Sequence, residues 1–214
     1  MPRPDYDNLL NLVKEINTSK YHIKSPYDYD ERPYPYVYAK MFNMETTLIE
    51  QPNTKAIKSH VYIDIFPIDG LPSDESECQA YFKKMKVWKN IHRILSVSKC
   101  NTRYGSLWKK IFWSIIYLFS KIIKENVVLS ILEKKLRKYS FDSSDYVGII
   151  AAGYGDRERT SRKAYEELPM QFEERVFNGI KGYDEYLTNV YGDYMKLPPE
   201  EKRILAHDNI AFYS

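Results

Sequence analysis

Val61-Tyr62-Ile63-Asp64-Ile65-Phe66-Pro67-Ile68-Asp69-Gly70 is the stretch on which the fold turns. Val61, Ile63 and Ile65 alternate with Tyr62 and Asp64 in a run rich in β-branched and aromatic residues, which predicts a strand. Pro67 has no N–H to give a ladder, so the strand is expected to end there. Ile68 to Pro72 then reads as a turn, with Asp69 as a turn former. Asp64 sits between isoleucines, where a carboxylate is costly unless a cation, an Arg or a set of donors pairs with it. The alternative is an Asp facing solvent from a half-exposed strand.

Outward from this strand the chain divides by pattern. Asp5-Tyr6-Asp7 leads into Leu9, Leu10, Leu12, Val13 and Ile16 at helical spacing, with acids where the helix dipole favours them. The helix is expected to end near Asn17-Thr18-Ser19, before a Tyr- and Pro-rich loop from Tyr21 to Pro35. Residues 36–41 and 46–50 read as two strands around a turn at 42–45. After Pro72 the pattern becomes helical. A helix runs from Asp74 to about Arg93 with Ser73 as N-cap, a break follows at 101–105, and helices are expected over 107–124 and 127–137. The last third is mixed. Residues 146–152 suit a strand or a helix end, 153–156 a turn, and 171–177 with Ile180 a short hairpin. A helix opens at Gly182, and Pro198-Pro199-Glu200-Glu201 starts another helical turn.

The 214 residues suit one domain with a real core. Net charge is only +3, so the whole molecule is not built as a polyanion binder, and no nucleic acid is expected as partner. Cys78 and Cys100 lack metal-type spacing and read as reduced thiols. His22, His60, His92 and His207 form no i, i+4 metal pair. No run approaches the roughly 18 apolar residues that would span a bilayer. Met1 is followed by Pro2-Arg3-Pro4-Asp5 without the apolar core of a secretory signal, so a cytoplasmic location is expected.

"VYIDIFPIDGLP" resembles the signature of LicD-type proteins, named for bacterial phosphorylcholine transferases. "MPRPDYDNLL" and "YPYVYAKMFNMETTLIE" resemble the family's middle segment, and "GYDEYLTNVYGDYMKLPPEEKR" its closing segment. The resemblance spans nearly the whole chain, in order. It implies one LicD-like domain over 1–214 of α+β class: a partial, nucleotidyltransferase-like mixed sheet over 1–72, a helical region over 73–140 and a mixed region over 141–214. It further implies transfer of phosphocholine or a related phospho-group from a CDP-linked donor to a cell-surface glycan of lipopolysaccharide or teichoic acid type. Such folds hold a divalent cation, Mg2+ or Mn2+, on an Asp-x-Asp pair and a third carboxylate, which neutralises the donor's phosphates.

On this chain Asp64 matches the third carboxylate and is the expected catalytic and metal-binding residue. Asp69 is the second metal candidate, in an outer role, beside its reading as a turn residue. Lys40 matches a basic position suited to a donor phosphate; the plainer reading is a solvated strand-edge lysine. Tyr191-Gly192-Asp193-Tyr194 suits a helix C-terminal turn with Gly192 at positive φ, and Glu173 an exposed strand. The family's Gly-Gly and Asp-Asp-Asp-x-Asp motifs do not occur. The chain is therefore expected to begin at an internal Met, to expose a sheet edge, and to be a poor catalyst alone. The alternative function is a remnant or a glycan- or membrane-binding subunit. From Ser106 to Lys124 a basic amphipathic helix with Trp113 and Tyr117 suits peripheral contact with the inner face of an anionic membrane, or an ordinary surface helix with a wide core-facing stripe.

Overall fold

The computed structural model describes residues 1–28, 34–50, 57–96, 107–108, 111, 114–115, 118, 125–151, 153–203 and 209–213. The class is α+β, and the strand ladders among the described residues are antiparallel, accompanied by one parallel bridge between Pro2 and Ile68.

The first sheet is built around one long strand. β1 (Tyr21–Lys24), β2 (Ala39–Glu50) and β3 (Ile57–Ile65) form a meander, and β9 (Asn209–Tyr213) pairs the far half of β2. The expected strands 36–41 and 46–50 are instead one strand, β2, which begins at Ala39, runs through the expected turn and has a register shift between Asn43 and Leu48. The side chain of Asn43 accepts from Glu45 N, and Thr46 Oγ1 donates to Asn43 O. These local bonds satisfy the predicted turn inside a bulge, so the chain bends without leaving the sheet. Within the expected loop 21–35, residues 21–24 are a strand. Ile23 is their one inward apolar side chain, opposite Met41, and Asn17 clamps Ile23 by accepting from its N–H and donating to its carbonyl. Tertiary pairing, not periodicity, makes this strand.

α1 (Arg3–Ile16) lies on one face of that sheet: Tyr6, Leu9, Leu10 and Val13 pack on Ile23, Ala39, Met41 and Ile65. Pro in its first turn and Asp5 suit a helix start, and Asn17, in extended conformation, ends it. β3 is the outer strand, with Ile63 56 % exposed.

Residues 69–71, expected as a turn, are instead β4 (Asp69–Leu71), pairing β5 (Tyr146–Gly148), which pairs β6 (Thr160–Ser161). All three residues of β4 are buried, and a Cβ on Gly70 would meet Ser140 O at 2.4 Å, so only glycine lets the strand pass. Leu71 packs in a second core with Tyr81, Phe82 and Met85 of α2 (Glu75–Ser96) and Leu132 and Leu136 of α3 (Glu125–Leu136). The cap of α2 is Asp74, whose Oδ1 accepts from Glu77 N at 2.7 Å, rather than Ser73. Beyond β6 come the hairpin β7 (Glu167–Phe172) and β8 (Arg175–Ile180), then α4 (Tyr183–Tyr191) and a short 3-10 turn at Glu200–Lys202. Glu173 occupies the hairpin turn at φ 52°, not the strand, and Gly192 takes φ 76° past α4. The expected helix 107–124 and Cys100 and His207 lie largely or wholly outside the described residues.

Candidate functional site

Lys40 on β2 and Asp64 on β3 are direct register partners, so both leave the sheet on the face opposite α1. Lys40 Nζ lies 2.9 Å from Asp64 Oδ1. This is the cation that the isoleucine-flanked carboxylate requires. The ammonium is also boxed by tyrosines, 3.5 Å from the ring centroid of Tyr62, 4.2 Å from Tyr36 and 5.6 Å from Tyr38. The rings' negative faces favour the cation. The side chain of Lys40 is 3 % exposed, which overturns its reading as a solvated strand-edge lysine, whereas Asp64 stays 31 % exposed. Burial, then Asp64 among the neighbouring charges, pushes the Tyr38 phenol well above its ordinary pKa, so it is a neutral hydroxyl.

Tyr36 and Tyr38 also line a cleft of about 540 Å³. Its floor is one side of α2, where Lys83, Lys86, Lys89 and Arg93 recur at steps of three, three and four residues. Its far wall is Ala151 and the loop Gly153-Tyr154-Gly155-Asp156, in which Gly155 takes φ 68°. Lys89 Nζ donates to the carbonyl of Ile150 at 2.5 Å, fixing this wall to the helix. Burial lowers the Lys89 pKa to about 8, against the pull of Glu158. Glu158 is itself fully buried, accepting from Tyr186 Oη at 3.1 Å, and burial raises its carboxyl.

Asp69 is placed quite differently. Arg3 Nε and Nη2 donate to its two oxygens, each at 2.6 Å, in a pair buried between α1 and β4. Burial pushes the Asp69 carboxyl up while Arg3 pulls it down. Burial likewise opposes the Arg3 charge, yet the two bonds to Asp69 carry its pKa above the ordinary value. Each Asp69 oxygen thus takes one bond from Arg3, in a buried pair apart from Asp64. Among the described residues no three His, Cys, Asp or Glu side chains gather as ligands. Asp-x-Asp spacings do occur, at Asp5/Asp7 and Asp28/Asp30. Asp7 lies on α1, not on a strand, and is taken by Arg137 through two bonds, at 2.5 and 2.8 Å. Asp64, by contrast, keeps its side chain 31 % exposed beside Lys40.

The structure therefore joins Lys40 to Asp64 and separates Asp69 from them. The basic side of α2 and the tyrosine box went unread in the sequence. The lysine spacing was visible there, and so was the Tyr36-Val37-Tyr38-Ala39-Lys40 alternation that puts rings and ammonium on one face.

No family profile matches the chain, and no solved structure does. Among curated proteins, the lipopolysaccharide cholinephosphotransferase LicD of Haemophilus influenzae is 29 % identical over 221 aligned positions, covering 99 % of this chain and 78 % of that protein. The similarity covers the β2–β3 ladder, the cleft and the closing segment alike, and it supports the LicD resemblance carried by the signature stretch.

Proposed function

We propose that this chain serves a LicD-type transferase reaction: phosphocholine, or a related phospho-group, moves from a CDP-linked donor to a hydroxyl of a cell-surface glycan of lipopolysaccharide or teichoic acid type. The observation that carries the reading is the similarity to a cholinephosphotransferase along the whole chain. The Lys40–Asp64 pair at the edge of the cleft supports it, since a transferred phospho-group calls for a fixed positive charge next to an acceptor of protons or metal.

In this reading Asp64 offers its second oxygen to a divalent cation, and that cation supplies neutralisation of the donor's phosphates. Lys40, held by three rings and one carboxylate, presents a charge that does not have to reorganise when the donor arrives. Tyr36 and Tyr38 exclude water from it. The test is donor binding by the full chain with CDP-choline and Mg2+, wild type against Asp64→Asn. Loss of binding in a variant that melts normally supports the assignment, and equal affinity removes Asp64 from the site.

Membrane proximity belongs to the same reading. Leu107, Ile111, Ile115 and Leu118 fall on one helical stripe, and Leu107 and Leu118 are 70 % and 62 % exposed. The sequence around them carries Lys99, Arg103, Lys109, Lys110, Lys121 and Lys124 and no acid before Glu125. An anionic lipid surface offers both the apolar layer and the counter-charge. No helix among the described residues is long and apolar enough to cross a membrane. Co-flotation with phosphatidylglycerol vesicles but not with phosphatidylcholine vesicles is the expected result, and equal flotation with both would remove the electrostatic part.

A second reading, a glycan- or membrane-binding subunit without turnover, is favoured by the lack of a three-carboxylate cluster among the described residues. Binding of acceptor without transfer, at any donor concentration, would select it.

A further inference from the structure

The basic side of α2 is more than the transferase chemistry needs. Lys83, Lys86, Lys89 and Arg93 are spread over eleven residues of helix, about 15 Å at the helical rise. A donor's diphosphate bridges one step of such a row. Lys83, Lys86 and Arg93 pair with no carboxylate among the described residues, whereas Arg3, Lys20, Lys40, Arg137, Lys138 and Lys181 all do. Only Asp156 brings an acid to the lining. Three charges without a carboxylate partner among the described residues, and a desolvated lysine on the same helix, make an electrostatic seat for an extended anion.

Away from α2 the lining of the cleft includes rings. Tyr36, Tyr38 and Tyr154 line it, and Tyr154 is braced edge-on by Tyr191 at 5.4 Å. Rings and cations in one cleft suit a chain of sugars, whose C–H faces stack on aromatics while anionic substituents turn to the lysines. The volume, about 540 Å³, lies in the range of ligand clefts, roughly 300–1,000 Å³. At Tyr36 and Tyr38 the lining adjoins Lys40, the partner of Asp64.

We propose that this cleft is the acceptor seat, and that the acceptor it takes is a glycan carrying several phosphate or carboxylate groups, read along α2 by Lys83, Lys86 and Arg93 with its reacting end towards Asp64. Lys89 is a positioning residue in it. Its bond to Ile150 holds the Gly153–Asp156 wall, and an anion laid beside it restores the charge that burial weakens. The assignment of an acceptor rests on the transferase reading above; the anion seat itself does not.

The experiment is calorimetric titration of the full chain with inorganic tripolyphosphate, with orthophosphate and neutral dextran alongside. The variants are Lys83→Gln/Lys86→Gln/Arg93→Gln and a control carrying Lys14→Gln/Lys58→Gln/Lys134→Gln. All three target side chains are exposed, so the cleft triple is expected to fold. Tripolyphosphate should bind the wild type more tightly than orthophosphate and lose affinity with added salt. The cleft triple should weaken it about tenfold or more, and the control should not. Equal weakening by both triples means unspecific charge and overturns the seat. Displacement of tripolyphosphate by CDP-choline makes the cleft a donor site and overturns the acceptor assignment. In turnover, the cleft triple should raise KM for a phosphorylated acceptor with kcat and donor KM held, and enzymatic dephosphorylation of the acceptor should abolish the difference. Unchanged acceptor KM overturns the assignment while leaving the transferase intact. Absence of turnover in the wild type falsifies the transferase reading, and the titration alone then decides the seat.

Discussion

Asp64 and Asp69 come from one signature, five residues apart, and meet opposite fates. Asp69 is buried with both oxygens on Arg3; Asp64 has one oxygen on Lys40 and keeps its side chain 31 % exposed. The residue type and the sequence neighbourhood are nearly the same. What differs is the partner's origin. Arg3 comes from the helix that closes the sheet, so its pair is a fastener. Lys40 comes from the adjoining strand on the open face, so its pair remains within reach of a ligand. A buried ion pair with no solvent side has nothing to bind; a half-open one has.

The contrast can be broken most directly at the fastener. Arg3→Met leaves the Asp69 carboxylate buried without its cation and should cost about 3–5 kcal/mol in urea unfolding. A loss below about 1 kcal/mol would show that the pair contributes little to the fold. Lys40→Met, on the other side of the comparison, removes a cation from three rings and one partly exposed carboxylate, and about 1–3 kcal/mol is expected. A smaller change still is expected for Asp64→Asn, about 1 kcal/mol or less, with donor binding lost. If that variant unfolds as readily as Arg3→Met, the two aspartates play one structural part and the comparison fails.

The remaining effect is a matter of pH. Lys89 has its pKa lowered by burial to about 8, from an ordinary 10.5. The unfolded chain holds that proton more tightly, so the penalty is fully present below pH 8 and fades as pH rises towards 10.5. The stability of the wild type relative to Lys89→Met should climb over that interval. A flat difference would place the ammonium in water.

Much of this was legible in the sequence, for reasons that differ by element. β3, α1 and α2 declare themselves by period, because each buries one regular face. β1 does not, since a four-residue strand with one inward side chain has no period to show. β2 was cut in two because Asn43 forms the bonds of a turn while the strand continues past it. That Asp64 needs a partner follows from the cost of its position, whereas Lys40 reads from the sequence as a donor-phosphate or solvated lysine and not as that partner. The partner of Asp69 could not follow: Arg3 is 66 residues away, and nothing local records a helix folding back over the sheet. The cations of α2 were readable as a row, yet only the loop at 153–156 turns a charged helix face into a cleft.

The bond between Arg3 and Asp69 closes a loop of 66 residues, and two main-chain bonds seal it, Ile68 N to Met1 O and Arg3 N to Ile68 O. Such a closure carries an entropic cost that hairpin contacts avoid. The β1–β2–β3 meander is made of short-range pairings and is expected to form ahead of it. The clasp would then tighten after the rate-limiting step of folding. Weakening it should leave the refolding rate nearly unchanged and appear almost wholly as faster unfolding. The beginning of the chain acts less as a template for the fold than as the latch on its lifetime.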